Sequence, residues 1–565
     1  MTAGPGQGTG SSRTAVRLGL ESPTGARATR GRPGLLFTVP IVYGLAAAAV
    51  FALRPAGRWA ENDTAVLAGA IAGLVRAQQL LPAGEAVYSH GYAYQAVAAA
   101  LCALTGLPVA AFQQLLSPFL LAVLLLPLAW VTYRELAGGA AAATLATLLL
   151  LLEPEFLFVV LRGSHEKITR TLMLLALFLL ARSLRLSRRP GRFAAYVLLF
   201  HAAGYGIIAS NNLFGSSFVA AIALALAAGW PLARRWGAGS LEVASDLSRR
   251  LLYSVCVLLA VAFVFTFYAY SPAAHQLGLY REVWHKVAVL LLDLGQARPV
   301  GDPYAAVAGG WVNLQVYLLV SLANWLLIGV SLSIWLRQGW RWLGRGIAPE
   351  SHTAWLLWLL YGAFGLQGVG AVLTDFSGAI ATNLQHRAFA SFSVVAAAAV
   401  ARGVTPLLGP QGRGRAGYWR TVGARPLLAA GAGCLAALSI LKASNEPALS
   451  NKWTFYEPPE IQALRWAGGH LRAATIWTEF DERLLAAYQL VVESGDPRPP
   501  TLAGGNRLDA FVPKPGGRDF LITDVTRRRA ARLGTALPPA TTQLRTYDNG
   551  AAEIYHLVPS TPYQR

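Results

Sequence analysis

Two short polar segments interrupt an otherwise apolar chain and carry residue types suited to acid–base chemistry. The first contains Glu61 and Asp63, which follow soon after the first long apolar run. A carboxylate at an apolar boundary loses hydration, which raises its pKa and suits it to accept a proton from a hydroxyl group. The alternative is structural, because this polar stretch also suits the cap of a helix over 65–79. The two roles are compatible with each other.

The second segment lies between two apolar runs and combines both charge signs with a histidine. It reads Arg162-Gly163-Ser164-His165-Glu166-Lys167-Ile168-Thr169-Arg170. Ionisable side chains at the edge of a membrane are costly and usually serve a function. Arginine also offers a planar fork that binds phosphate through two N–H groups. The alternative is a boundary cluster whose long side chains extend to the membrane surface and pair with one another.

The composition indicates a membrane protein. Of the 565 residues, 55% are hydrophobic and only 13% are charged, whereas soluble domains carry about 25% charged residues. Apolar runs such as Leu115–Tyr133 and Leu251–Tyr270 are long enough to cross a bilayer. These features exclude a soluble enzyme, a disordered chain, a collagen-like chain and a disulfide-stapled domain. The three cysteines are isolated within apolar stretches, which indicates buried apolar side chains and no metal spacing.

The hydropathy pattern predicts an α-helical polytopic membrane protein with about eleven transmembrane helices. The predicted spans lie near 34–53, 112–132, 139–159, 168–183, 193–209, 213–231, 251–270, 312–335, 353–373, 388–404 and 426–442. The apolar segment Tyr92–Leu107 is short and weak in Leu and Phe. We therefore expect it to be an interfacial helix within the first outer loop.

The net charge of +20 is almost entirely due to arginine, and it predicts the orientation of the chain. When Tyr92–Leu107 lies in the interface, the Arg clusters fall on one side, which the positive-inside rule assigns to the cytoplasm. We predict a multi-pass protein of the inner (plasma) membrane with a cytoplasmic N-terminus, an external C-terminus and no nucleic-acid partner. Most carboxylates, including Asp375, fall on the outer side, where we expect the chemistry. The turn Asn211-Asn212 also lies there and satisfies backbone groups or, alternatively, contacts a substrate.

Three regions differ in composition. Residues 1–33 form a basic, Gly- and Ser-rich stretch that we predict to be a disordered cytoplasmic tail. Residues 34–442 hold the predicted transmembrane domain. Residues 443–565 have an ordinary, nearly neutral composition and predict a small soluble α/β domain outside the membrane. Within it, Asp548-Asn549-Gly550 between two strand-like segments is typical of a β-hairpin.

The order of these features resembles that of a known superfamily. One span is followed by an outer loop with Glu61 and Asp63, then by interfacial helices, further spans and an external C-terminal domain. Over residues 34–270 this layout is similar to the GT-C superfamily of membrane glycosyltransferases. That superfamily includes protein mannosyltransferases, aminoarabinose transferases, oligosaccharyltransferases and arabinofuranosyltransferases, whose first outer loop carries an acidic motif. Here the motif reads Glu-Asn-Asp in place of the common Asp-Glu or Asp-Xaa-Asp forms, and we favour Asp63 as its leading carboxylate.

The resemblance implies a glycosyltransferase that takes a sugar from a polyprenyl-phosphate donor in the bilayer. The sugar would pass, with inversion, to a glycan, lipid or protein acceptor on the extracytoplasmic face. Asp63 or Glu61 is implied as the general base. The implied substrate-binding residues are His165 and Glu166 for the acceptor or a metal, the basic residues Arg162, Lys167, Arg170 and Arg387 for the phosphate, and Tyr88, His90 and His386. Metal use stays open, since the superfamily has members with and without a divalent cation such as Mg²⁺ or Mn²⁺.

Two other functions fit the same composition. A transporter or flippase of lipid-linked sugars predicts polar residues deep within spans and two related halves. A non-catalytic envelope scaffold predicts that the outer-loop acids can be replaced without biochemical effect. Ionisable groups in this sequence concentrate near the predicted ends of spans and no inverted repeat is visible, which favours the transferase.

Overall fold

A bundle of long apolar helices followed by a small mixed sheet makes up the part of the chain that the computed structural model describes. The described residues are 33–53, 62–80, 91–161, 164–186, 189–233, 240–270, 274, 276–292, 314–377, 384–408, 430–444, 456–471, 475–479, 481, 484, 501–505, 519–534, 537 and 543–557. The predicted tail therefore lies outside the described residues, apart from Pro33, which begins the first helix.

The first half of the bundle runs from α1 to α10. Its helices are α1 (Pro33–Leu53), α2 (Asn62–Ala77), α3 (Ala93–Thr105), α4 (Val109–Leu120), α5 (Leu126–Ala137), α6 (Ala140–Leu152), α7 (Pro154–Leu161), α8 (Glu166–Arg185), α9 (Pro190–Ser210) and α10 (Asn212–Ala233). A π-helical turn over Leu121–Leu125 joins α4 to α5 without a break. Gly106 ends α3 and Gly138 ends α5, each in the left-handed conformation that glycine adopts readily.

The second half of the bundle continues to α16, and two further helices accompany the sheet. These helices are α11 (Ser240–Val264), α12 (Gln276–Leu292), α13 (Leu314–Gly339), α14 (His352–Phe376), α15 (Leu384–Leu408), α16 (Ala430–Ala443), α17 (Pro458–His470) and α18 (Asp524–Leu533). Further π-helical turns extend α11 over Phe265–Ala269 and α13 over Trp340–Gly344. In the core, α8 packs along α9 and α5, and α15 packs along α6 and α14.

The chain is a polytopic membrane protein. Among the described residues, seven helices are long and apolar enough to cross a bilayer, and the bent pair α6–α7 would make eight. The seven are α1, α9, α10, α11, α13, α14 and α15. The remaining predicted spans coincide with α4–α5, α8 and α16, which are helical but do not meet the same length and hydropathy test. Within the described residues, all eleven predicted spans thus fall on helices. The predicted interfacial segment corresponds to α3. The number of crossings and their orientation stay predictions.

The predicted single span over 139–159 is wrong in one respect, because it is broken at Glu153. The helices on either side, α6 and α7, are bent by 77°. Pro154 has no N–H to donate and pushes Glu153 into an extended conformation (φ −78°, ψ 114°), which ends α6. The buried Glu153 carboxylate then accepts hydrogen bonds from the backbone N–H groups of Glu155, at 2.9 Å, and Phe156. It thereby caps α7.

The sheet of the C-terminal region has five strands in the order β2-β1-β3-β5-β4. Its strands are β1 (Thr475–Glu479), β2 (Thr501–Gly505), β3 (Asp519–Thr523), β4 (Gln543–Asp548) and β5 (Ala552–Leu557). Strand β1 pairs in parallel with β2 and β3, while β5 is antiparallel to β3 and β4. The predicted hairpin is confirmed: Gly550 has φ 89° and its N–H donates to the Asp548 carboxylate at 2.8 Å. This region therefore contains both helices and strands, as expected for a small α/β domain. The boundaries of the domain stay predictions.

Candidate functional site

The second polar segment folds into a buried cluster at the N-terminal end of α8. His165, Glu166, Lys167 and Arg170 are only 1–3% exposed. Burying charged groups costs free energy, so proteins keep them where they are paired, hydrogen-bonded or used. The alternative of side chains that extend to the membrane surface does not fit this burial. We call these four residues, together with Asn211, the polar cluster.

His165 contacts the junction between α9 and α10. Asn211 lies between these helices in an extended conformation, and its side-chain oxygen accepts from the Phe214 N–H at 3.0 Å, which caps α10. The Asn211 amide nitrogen therefore faces His165, and it lies 2.6 Å from Nε2 of the imidazole. Because an amide NH₂ can only donate, Nε2 accepts and the imidazole proton lies on Nδ1. The predicted capping role of the Asn turn and a role in positioning His165 thus occur together.

Arg170 connects α8 to α15. Its Nη1 donates to the Ser391 hydroxyl, and its Nη2 donates to the Arg387 carbonyl at 3.2 Å. The guanidinium carbon also lies 5.0 Å from the centre of the Phe214 ring, within the range of a cation–π interaction. These contacts hold a positively charged plane in a fixed orientation inside the bundle, which is what a phosphate-binding arginine requires.

Lys167 connects α8 to the helices of the first loop. Its ammonium lies 5.4 Å from the centre of the Tyr94 ring. Tyr94 is a buried residue of α3, and its hydroxyl donates to the side-chain oxygen of Gln113 on α4. Burial raises the pKa of Tyr94, so its hydroxyl remains a hydrogen-bond donor. Helix α3 therefore packs against the polar cluster through Tyr94.

The start of α3 is fixed against the end of α9, beside Asn211. The Tyr92 N–H donates to the Ala209 carbonyl at 2.9 Å. Glycine is required at position 91, because a Cβ there would come within 2.5 Å of the same carbonyl oxygen. The Tyr92 ring packs 5.7 Å from Phe265. This anchor fixes the start of α3 beside Asn211 of the polar cluster.

Asp375 has a structural role at the end of α14. It is fully buried, and its two carboxylate oxygens accept the backbone N–H groups of Leu384, at 3.0 Å, and Gln385, at 2.8 Å. These are the first residues of α15, whose N-terminus favours a negative charge. The half-buried Arg387 follows one position after His386, and its carbonyl is the acceptor for Arg170. Asp375 thus positions the start of α15 against α8.

The structure brings some of the predicted site residues together and leaves others outside its description. His165, Glu166, Lys167 and Arg170 form the polar cluster, and Arg387 contributes its carbonyl. Asp63 lies in the first turn of α2, and His386 lies in the first turn of α15, but their side chains are outside the described part, as are all atoms of Glu61, Tyr88, His90 and Arg162. Among the described residues, no group of three or more His, Cys, Asp or Glu side chains is arranged to hold a metal ion.

Sequence reasoning missed several partners of the polar cluster. Tyr94, Gln113, Phe214 and Ser391 were not predicted to contact it. A usable signal existed for Gln113, because a glutamine inside an apolar helix needs a hydrogen-bond partner. No comparable signal marked Phe214 or Ser391, whose contacts depend on how distant helices pack.

Comparison with known proteins establishes the fold. By sequence the chain matches no protein-family profile and no curated protein. By structure it is similar to the oligosaccharyltransferase of Archaeoglobus fulgidus in the apo form, with TM-score 0.53, 13% identity, and 88% of this chain and 71% of that chain covered. The archaeal oligosaccharyltransferase AglB from Archaeoglobus fulgidus, in complex with an inhibitory peptide and a dolichol-phosphate, gives TM-score 0.52, 14% identity and coverage of 94% and 75%.

A third solved structure overlaps less well. ArnT from Cupriavidus metallidurans, bound to undecaprenyl phosphate, gives TM-score 0.49, 15% identity and coverage of 93% and 98%. The two archaeal comparisons show that this chain shares the fold of these oligosaccharyltransferase structures. At such low identity the likeness shows the fold alone.

Proposed function

We propose that this protein is an integral membrane glycosyltransferase that moves a sugar from a polyprenyl-phosphate donor to an acceptor on the extracytoplasmic face. The observation that carries the proposal is the polar cluster, in which two cationic side chains are buried and one of them, Lys167, lies against Tyr94 of α3. A lipid phosphate needs cations at the membrane boundary, and the carboxylates of the first loop precede α3, which packs against Lys167. The GT-C fold and the dolichol-phosphate bound to the archaeal neighbour support the same class of donor.

In the proposed reaction Asp63, or Glu61, accepts the proton of the acceptor hydroxyl. The hydroxyl oxygen then forms a bond to the anomeric carbon of the sugar while the bond from that carbon to the phosphate oxygen breaks. The phosphate leaves with the electron pair, and attack from the opposite face inverts the configuration. Lys167 and Arg170 stabilise the negative charge on the departing phosphate, because fixed cations in a water-poor site need no reorganisation.

His165 and Glu166 position the acceptor in this scheme. Asn211 donates to Nε2 of His165 and so holds the imidazole in one orientation against the acceptor. Arg162, Arg387, His386, Tyr88 and His90 are proposed to complete the substrate contacts. The proposal places the protein in the inner membrane with this end of α8 facing outward, and it includes no step that depends on a metal ion.

The test uses the full chain in nanodiscs with undecaprenyl phosphate as the binding probe. Donor cleavage, with water as the attacking hydroxyl in place of the unidentified acceptor, is then followed with undecaprenyl-phosphate mannose, arabinose and aminoarabinose. We expect one donor to be consumed, and Asp63→Asn to slow its cleavage by about a hundred- to ten-thousandfold while binding of undecaprenyl phosphate is unchanged. The control Asp524→Asn removes a carboxylate that is 65% exposed on α18 and leaves the rate unchanged.

Each outcome separates the candidate functions. Full cleavage rates in both Asp63→Asn and Glu61→Gln would remove the carboxylates from the mechanism. A transporter of lipid-linked sugars would bind the probe and move donors across the bilayer without cleaving them. A scaffold would not bind undecaprenyl phosphate at all.

A further inference from the structure

A second site candidate lies at the opposite end of α8. A cavity of about 930 Å³ opens there, and four arginines, Arg134, Arg182, Arg185 and Arg402, line it. The α8 residues that line the cavity, from Phe178 to Arg185, follow Lys167 at a rise of about 1.5 Å per residue, which places the cavity roughly 16–27 Å along the helix from the polar cluster. The volume lies within the range of small-molecule binding sites. We call it the basic cavity.

Contacts with neighbouring helices hold the arginines of the basic cavity in place. Glu135 binds Arg182 at 2.7 Å and Arg185 at 2.8 Å, which fixes two guanidinium groups side by side on one wall. Arg402 comes from α15 and donates through Nη1 to the Leu136 carbonyl at 3.3 Å. That bond uses one of the five N–H donors of a guanidinium. Two carboxylates oppose the four arginines in the lining, so the cavity carries a net positive charge.

The start of α14 adds to this positive potential. Ser351 caps the helix by accepting the Ala354 N–H at 3.1 Å, and Ser351, His352 and Thr353 all line the cavity. The first N–H groups of a helix and its dipole favour an anion at this position. The N-terminus of α14 therefore adds to the positive potential of the four arginines.

The deeper lining of the basic cavity is apolar. Val131, Phe178 and Tyr196 lie further inside their helices than the charged residues do, and Phe178 meets Tyr196 edge to face with ring centres 6.5 Å apart. An ion-pair network with only a structural role would favour close packing of its members, whereas here cations surround open space. Cations at the mouth and an apolar wall beyond them match an amphiphile with a phosphate headgroup.

We propose that the basic cavity binds the phosphate group of an anionic amphiphile, such as the headgroup of a phospholipid in the membrane leaflet at this end of the bundle. Basic pockets between membrane helices recognise anionic lipid headgroups in this way. Arg182, Arg185 and Arg402 bind the phosphate oxygens, and Phe178 contacts the first part of the acyl chain. The site is separate from the polar cluster and does not depend on the proposed transferase activity.

The experiment measures binding to the full chain in neutral detergent. The probes are dihexanoyl phosphatidylglycerol, dihexanoyl phosphatidylcholine and inorganic phosphate. We expect the anionic lipid to bind, and Arg402→Gln or Arg185→Gln to weaken it by about tenfold or more, since each removes a charge-assisted hydrogen bond. Arg185 is 63% exposed, so its variant keeps the test valid should Arg402→Gln fail to fold.

The matched controls locate the binding. Arg337→Gln removes an exposed arginine from the last turn of α13, outside the cavity lining, and should change the affinity by no more than about twofold. Lys167→Met, at the polar cluster, should also leave it unchanged. Equal binding of inorganic phosphate would support the phosphate site and assign it to a soluble ligand. Absence of binding by both anionic probes, or equal loss in Arg337→Gln, would overturn the proposal.

Discussion

The two ends of α8 use charge in opposite ways. At the N-terminal end, Lys167 and Arg170 are almost fully buried and contact an aromatic ring, a hydroxyl and a carbonyl. At the C-terminal end, Arg182 and Arg185 are 35% and 63% exposed and pair with one carboxylate. Cations at a helix C-terminus are favoured by the dipole and remain hydrated, whereas those at the first turn gain neither benefit. Burial of cations at the N-terminal end is costly, and it fits the proposed role of these residues in binding a lipid phosphate.

The largest expected difference between the two ends concerns unfolding. Arg170→Ala removes the hydrogen bonds to Ser391, to the Arg387 carbonyl and to Met173 Sδ and leaves a void, so we expect the free energy of unfolding to fall by about 3 kcal/mol. Arg185→Ala should cost below about 1 kcal/mol, because an exposed ion pair contributes little. Denaturation of the purified protein in one detergent compares the two variants. Equal losses would contradict the contrast between the ends.

The second prediction separates stability from binding at the N-terminal end. Lys167→Met keeps an unbranched side chain of nearly the same length and removes its charge. We expect unfolding to be unchanged or slightly harder, since replacing a buried charge by an apolar group is often neutral or stabilising. Affinity for undecaprenyl phosphate should fall by about tenfold, which is about 1.4 kcal/mol. A variant that loses stability and keeps its affinity would show that Lys167 serves packing alone.

The smallest expected effect lies at the C-terminal end. Glu135→Gln breaks the pairs with Arg182 and Arg185 and should lower the unfolding free energy by about 1 kcal/mol or less in dilute buffer. The difference from the wild type should shrink in molar salt, which screens exposed charges. Melting curves at two salt concentrations measure it. A loss of unfolding free energy as large as that of Arg170→Ala, unaffected by salt, would show that the charged groups at both ends of α8 contribute to stability in the same way.

Hydropathy predicted the positions of the helices well, because membrane-spanning helices must be apolar over a fixed length. Hydropathy did not predict the break between α6 and α7 at Glu153, because the apolar run continues on both sides of it. Pro154 is the residue that indicates the break. The dipeptide Glu153-Pro154 carries the information, since proline restricts the residue before it and the carboxylate can cap the next helix.

The candidate site was predicted only in part. The density of charge in the segment 162–170 marked the polar cluster, since few residues of that type fall in so apolar a chain. The contacts of Lys167 with Tyr94 and of Arg170 with Ser391 join positions far apart along the chain. Such pairs depend on which helices become neighbours, and no local pattern in one sequence encodes that choice. The role of Asp375 as the cap of α15 was hidden for the same reason, because the helix begins nine residues later.

The charged first turn of α8 also bears on how the protein is assembled in the bilayer. Although α8 has 20 residues, it is not among the seven helices that are apolar enough to cross a membrane on their own character. Each ionisable group raises the cost of transferring a segment from the translocon to lipid. Its neighbours α5, α9 and α15 provide protein contacts for these groups, which the hydrocarbon of the bilayer cannot hydrogen-bond. We therefore expect the integration of α8 into the bilayer to depend on helices that follow it in the chain. The residues proposed to do chemistry would then influence the order in which the helices are inserted.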